Sequence, residues 1–178
     1  MEFVAFPKIK RITGDGMDVT VTEKLDGTNG LIMIRDGQML VGSRTREIFP
    51  NGTVEGNKHT DNYGFAQWAR KHEAELLTLG NGNHYGEWYG EGIQRRYGLD
   101  EKRFALFNTF RPADTLPPVV GQVPVLYRGT YEGMSHIMEL WQDLADKGSR
   151  AVPGFMNPEG LMIFFHGVKT YLKLPMDK

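Results

Sequence analysis

Residues 23–30 read EKLDGTNG: Glu23, Lys24, one intervening leucine, then Asp26-Gly27 ahead of Thr28-Asn29-Gly30. The stretch before it, DVTVTE at 18–23, alternates polar and β-branched residues. The stretch after it, LIMI at 31–34, resumes an apolar run. Period-two alternation with Asp-Gly between two such runs predicts two strands joined by a hairpin-like connection. Asp26-Gly27 supplies the bend, and Lys24 stands on the strand entering it. K-x-D-G is only four letters long, and a chain of this size holds one by chance roughly a few per cent of the time. Its meaning depends on what stands elsewhere.

Outward from that turn, MLVG at 39–42 predicts a third short strand leading into Ser43-Arg44-Thr45-Arg46. Phe65, Trp68, Ala69, His72, Leu76 and Leu79 fall at helical spacing, with Asp61 or Asn62 to cap the start and Gly80 to end it. Strands follow at 84–89 and 104–110, with Phe104, Leu106 and Phe110 read as core. An ordered proline-rich loop occupies 112–124. A second helix is expected over about 131–147, with Ile137, Leu140, Trp141 and Leu144 on one face. The last strands are 161–165 and 168–174. Irregular interleaving of strands and helices predicts an α+β fold with largely antiparallel sheets rather than a doubly wound one.

The chain has 178 residues, the size of one ordinary domain, with 22 glycines and 9 prolines marking many turns. A net charge of −1 carries no global basic signature, so any nucleic-acid or nucleotide site is a local patch. With no cysteine, disulfides, thiolate catalysis and Cys-ligated zinc are excluded. The five histidines, His59, His72, His84, His136 and His166, lack zinc-ligand spacing. No apolar stretch approaches a membrane span and the N-terminus lacks an apolar signal core, so a cytoplasmic, intracellular protein is expected, with no membrane partner.

Six short segments occur in a fixed order: KLDGTN at 24–29, SRTR at 43–46, GEWYG at 86–90, FALFNTF at 104–110, PEGLMIF at 158–164 and KTYLKL at 169–174. The ordered set resembles the covalent nucleotidyltransferase superfamily of polynucleotide ligases and capping enzymes. It is most similar to ATP-dependent RNA ligases of the RNA ligase 2 type, among them short phage-encoded members. The resemblance runs from about Phe6 to the C-terminus. It implies two largely antiparallel β-sheets flanked by helices. One nucleotidyltransferase (adenylation) domain is expected over 1–178, with no C-terminal OB or helical domain of the kind larger ligases carry, either as a minimal ligase or as one domain of something longer. It also implies ATP and Mg²⁺ (or Mn²⁺) as cofactors. AMP would pass to Lys24 and then to the 5′-phosphate of a polynucleotide, and a 3′-hydroxyl would finally seal the ends. The ends would be RNA or DNA, with a separate protein as a source of further nucleic-acid binding. A DNA ligase, a guanylyltransferase of the capping type and a non-catalytic nucleotide- or RNA-binding module are the competing readings.

The residue types suit that chemistry. A lysine attacks phosphorus only as the free amine, and at an unperturbed pKa near 10.4 about one in a few thousand is neutral at pH 7. Cationic neighbours and a metal ion make such an amine available, and Arg44, Lys169 and Lys173 are the candidates in the sequence. By the resemblance, Lys24, Lys173 and Arg44 carry catalysis. Nucleotide contacts are assigned to Glu23, Asn29, Arg44, Glu87, Phe107, Lys169 and Lys173. Glu23, next to Lys24 on a strand, points to the opposite face and should not pair with it. Phe107 stands where the family stacks an aromatic on the purine, and Asn108 stands where an acidic residue is common. Glu159 and Glu87 are the expected metal ligands, a small carboxylate set that suits Mg²⁺. Lys169, Tyr171 and Lys173 share one strand face, with Tyr171 where the family usually has a lysine. The pair Arg95-Arg96 beside Tyr97 offers a strand-backbone contact.

Overall fold

The computed structural model describes residues 16–53 and 60–176. β1 (Asp18–Lys24) turns Val19 and Val21, both fully buried, toward one side and Thr20, Thr22 and Lys24 toward the other. β2 (Thr28–Arg35) buries Ile32 and Ile34, leaving Asn29, Leu31 and Met33 on its open face. The strands on either side of the Asp26-Gly27 bend do not pair with each other. β2 pairs with β3 (Gln38–Gly42) and with β4 (Gly82–Gly90), whereas β1 lies in a different sheet. The expected hairpin is therefore a crossover. Each strand's apolar face is covered by a different helix, so the chain must change sheets at residues 25–27.

The five-stranded sheet has the order β3-β2-β4-β5-β6, with β5 (Lys102–Leu106) and β6 (Val120–Gln122) forming its one parallel pair. Its buried face packs on α1 (Phe65–Lys71) and α2 (Glu73–Leu77), through Phe65, Ala69, Leu76, Trp88 and Phe104. The single helix expected over 65–79 is interrupted at His72, whose backbone leaves the helical region (φ −105°, ψ 21°). Neither Asp61 nor Asn62 is the N-cap, which is Gly64, but Asp61 reaches forward from the preceding turn to accept the Gln67 N–H at 3.0 Å. Asn62 serves the turn instead: its side chain accepts from Thr28 Oγ1 at 2.9 Å and donates to the Asn29 carbonyl at 3.0 Å.

The four-stranded sheet is antiparallel throughout, in the order β7-β1-β8-β9, with β7 (Val125–Thr130), β8 (Gly160–Phe165) and β9 (Thr170–Pro175). Its apolar face, carrying Val19, Val21, Leu161 and Ile163, buries Ile137 and Leu144 of α3 (Met134–Lys147). β6 and β7 fall where period-two alternation is weak. β7, VLYRGT, buries no residue, so no hydrophobic pattern announces it. A third cluster of Leu25, Tyr89, Tyr97, Ala105 and Val123 joins the sheets beside the crossover. The fold is α+β with two largely antiparallel sheets, as expected from the sequence. No helix among the described residues is long and apolar enough to cross a membrane.

Candidate active site

Three contacts hold the crossover in shape. The Asp26 N–H donates to Tyr97 Oη at 2.7 Å, and the Gly27 N–H donates to Glu87 Oε1 at 3.0 Å. Arg95 Nε donates to Asp26 Oδ2 at 2.9 Å. Gly27 passes so close to β4 that a Cβ there would lie 2.3 Å from the Trp88 carbonyl oxygen, so only glycine fits. Arg95 also donates through Nη1 to the carbonyl and side-chain oxygen of Asn157 at 3.2 and 3.1 Å. One guanidinium thereby ties the segment bearing Lys24 to the segment bearing Glu159. The loop carrying it is strained: Gln94, Arg96 and Tyr97 all have positive φ. Arg95, read from sequence as a strand-backbone contact, is thus an internal brace. Nothing in the spacing could have revealed this, because its partners lie 69 and 62 positions away.

Lys24 Nζ bonds Glu159 Oε1 in a tight ion pair that is about one-fifth exposed. The other oxygen, Glu159 Oε2, is buried without a hydrogen-bond partner. Buried carboxylate oxygens are normally satisfied, so this one marks a place for a ligand. Glu87 lies nearby and is 9% exposed. Burial pushes its carboxyl up to about 7; the Gly27 N–H and Lys24 pull it down, while Glu159 and Asp26 push it further up. Lys24, Glu87 and Glu159 therefore share one electrostatic environment. Among the described residues no group of three or more His, Asp or Glu could enclose a metal ion. Mg²⁺ requires none, since it commonly takes one or two carboxylates and completes its shell with waters and phosphates.

A cleft of about 470 Å³ opens on the neighbouring face of β2 and β4, lined by Asn29, Arg44, Arg46, Tyr85 and Phe107 among others. Asn29 pairs across the strands with Glu87, which places the cleft directly beside the carboxylates. Asn29 lies within a strand, not at a positive-φ turn position. Arg44 and Arg46 flank a tight turn closed by the Ser43 N–H on the Arg46 carbonyl at 2.8 Å. Phe107 is 41% exposed, its backbone fixed by an N–H bond to the Tyr85 carbonyl. The core reading holds for its neighbours Phe104 and Leu106 but not for Phe110, which is 60% exposed. Asn108 accepts the Phe110 N–H at 3.1 Å, a local turn contact that occupies its side-chain oxygen.

Sheet register separates the remaining candidates. Lys173 pairs with Met162, itself opposite Thr22, so Lys173 shares Lys24's face two strands away, roughly 10 Å laterally. Lys169 sits in the β8–β9 turn with φ 52°, level with the opposite end of β1. That is roughly 17 Å of strand from Lys24, so Lys169 is not brought to the site. Glu23 is also withdrawn from it. Its side chain faces α3's side of the sheet, 1% exposed, and accepts from Ser149 Oγ at 2.6 Å, the Arg150 N–H at 2.7 Å and the Ala151 N–H at 3.0 Å. Leu172, on the face of β9 opposite Lys173, is 47% exposed on what is an edge strand.

Residues 17–161 match the model of the RNA ligase family. No curated protein sequence matches the chain. Among solved structures, the chain is similar to an RNA ligase of Naegleria gruberi. A variant of that ligase with ATP and Mn superposes with a TM-score of 0.63 at 21% identity, over 91% of this chain and 50% of that one. An apo variant gives a TM-score of 0.64, and a structure with PPi gives 0.62, at the same identity and coverage. The chain spans half the length of these structures. At that identity the likeness speaks to the fold, which agrees with the two-sheet architecture described above.

Proposed function

The chain belongs to the RNA ligase family, and on that premise we propose that it is the nucleotidyltransferase unit of an ATP-dependent RNA ligase. The observation that carries this reading is Lys24 held at the crossover of two sheets, paired to Glu159, whose second oxygen is buried and unsatisfied. A lysine paired in this way shares its lone pair with a proton, so the pair must open before attack. Nζ then forms a bond to the α-phosphorus of ATP as the bond to pyrophosphate breaks, and the amine proton is lost. An oxygen of a polynucleotide 5′-phosphate next attacks the same phosphorus, breaking the P–N bond and returning Lys24 as an amine. A 3′-hydroxyl finally displaces AMP.

In this reading Phe107 stacks on the purine at one end of the cleft, Arg44 and Asn29 hold ribose and phosphates, and Lys173 neutralises charge on the phosphate chain. Glu159 and Glu87 would hold a divalent cation. When bound, the cation neutralises phosphate charge and competes with Lys24 for Glu159. The orphaned Glu159 oxygen and the crowded Glu87 carboxyl, pushed up to about 7 by burial, both fit such an ion.

Intact-mass spectrometry after incubation with ATP and Mg²⁺ tests the proposal. The wild-type chain should gain about 330 Da, the mass of a covalent AMP, and Lys24→Ala should gain nothing. A chain that is never labelled by ATP would overturn it, and labelling by GTP alone would redirect it to guanylyl transfer.

A further inference from the structure

Beyond Lys24, the same face of the four-stranded sheet continues into an aromatic surface that the chemistry above leaves unused. Strand register sets Arg128, Thr20, Phe164 and Tyr171 in one row across β7, β1, β8 and β9. Phe164 and Tyr171 pack at a tilt, with ring centroids 4.4 Å apart and 30° between planes. His166 stands against Phe164 at 4.8 Å and is anchored to Thr20 Oγ1 at 2.9 Å. Phe110 closes on His166 at 5.4 Å, and the Arg128 guanidinium sits 4.3 Å above the Phe110 ring. Arg128 is fixed there by Nη2 bonds to the carbonyl and hydroxyl of Thr109. Phe110 and Tyr171 are nevertheless 60% and 62% exposed.

Aromatic rings packed on each other, with Phe110 and Tyr171 open to solvent and Phe164 half-buried, have the form of a stacking platform rather than of a core. The cations beside them, Arg128 and Lys173, are those a phosphate backbone would meet. The row lies four residues along β1 from Lys24, roughly 13 Å, a few nucleotides of stacked strand. We propose that Phe110, Phe164 and Tyr171, with Arg128, form a subsite that stacks the unpaired bases of the polynucleotide strand whose end is presented to Lys24. This rests on the ligase reading for its occupant. Exposed rings can be covered by bases only where these are unpaired, so the subsite selects single-stranded ends over duplex.

Direct binding of a short, unstructured, 5′-phosphorylated and fluorescently labelled RNA by the full chain without ATP, read by polarisation, tests the subsite. The assay is independent of lysine adenylylation, so failure of one reading does not imply failure of the other. Phe110→Ala and Tyr171→Ala should each weaken binding roughly tenfold, as expected for the loss of one stacked base. Tyr171→Phe should bind like wild type, because the ring and not the hydroxyl does the stacking. Annealing the RNA to its complement should weaken binding. Unchanged affinity in both alanine variants, equal loss in Tyr171→Phe, duplex bound as tightly as single strand, or no binding by wild type would each overturn the proposal.

Discussion

Glu23 and Glu159 are two glutamates pressed against the same strand end from opposite sides, and they are treated in opposite ways. Glu23 faces the side of α3, and both of its oxygens are occupied by three donors from residues 149–151. Glu159 lies on the face of Lys24, with one oxygen on its amine and the other buried with no partner. A carboxylate with all its acceptor demand met stabilises the fold and has nothing left to offer a ligand. A carboxylate with half of it unmet is costly to bury and ready to bind. The difference separates architecture from chemistry on either side of one lysine. Adjacency to Lys24 in the sequence does not.

Substituting both tests this contrast most severely. Glu159→Gln should slow lysyl-AMP formation by a hundredfold to a thousandfold, roughly what removal of one charge-stabilising group costs, with little change in melting temperature. Glu23→Gln should do the reverse. Its amide can keep one oxygen on the Arg150 and Ala151 N–H groups and turn its NH2 to Ser149 Oγ, but the charge that strengthens these bonds is gone, so about 1–2 kcal/mol of stability should be lost while the folded fraction still adenylylates. Thermal melts beside rapid-quench labelling separate the two, and a stable but inactive Glu23→Gln would break the contrast.

Glu87 lies between these extremes, with one donor at Gly27 and a carboxyl held at about 7 instead of 4.5. The folded chain therefore keeps a proton that the unfolded chain releases between those values. Stability falls as pH rises from about 4.5 to about 7 and levels off above. At 1.36 kcal/mol per pKa unit the whole loss is about 3 kcal/mol. Glu87→Gln, neutral at every pH and still able to accept from Gly27, should melt higher than wild type at pH 8. The gap should close toward pH 4.5. Urea melts across this range check it, and a constant gap would mean that Glu87 is not protonated in the fold.

How far the sequence disclosed all this depends on whether a residue's partners are local. Period-two alternation located β1, β2, β3 and β4, and helical spacing located α3, because each face reports its own burial. The pattern could not say that β1 and β2 enter different sheets. Pairing is decided by Val19 and Val21 meeting Ile137, far along the chain. β7 was invisible because it buries nothing. Within the site, Lys24, Glu87 and Glu159 were legible as residue types in a familiar order. Trp88, next to Glu87 on β4 and so on its other face, lies in the core at 2% exposed. Lys169 and Phe110 were misplaced by extending strands two to four residues into turns, which reverses or removes the facing of every side chain beyond the true end. Arg95 gave no signal of its role, since only the folded chain shows what its guanidinium touches.

Arg95 is the cationic counterpart of Glu23, a half-buried charge committed to holding parts together, except that the parts it holds carry the residues proposed for catalysis. It joins Asp26, in the bend beside Lys24, to Asn157, two residues before Glu159. Lysine can keep one of these bonds but not the fork, so Arg95→Lys should let the two segments move relative to each other. If Arg95 only stabilised the fold, Arg95→Lys would lower the melting temperature and leave the labelling of folded molecules unchanged. If it positions Lys24 against Glu159, the maximal rate of lysyl-AMP formation should fall about tenfold while half-saturation by ATP stays put, because the cleft of Asn29, Arg44 and Phe107 is not touched. Single-turnover labelling over a range of ATP concentrations distinguishes the two. A rise in half-saturation with an unchanged maximal rate would place Arg95 in nucleotide binding and remove it from the brace.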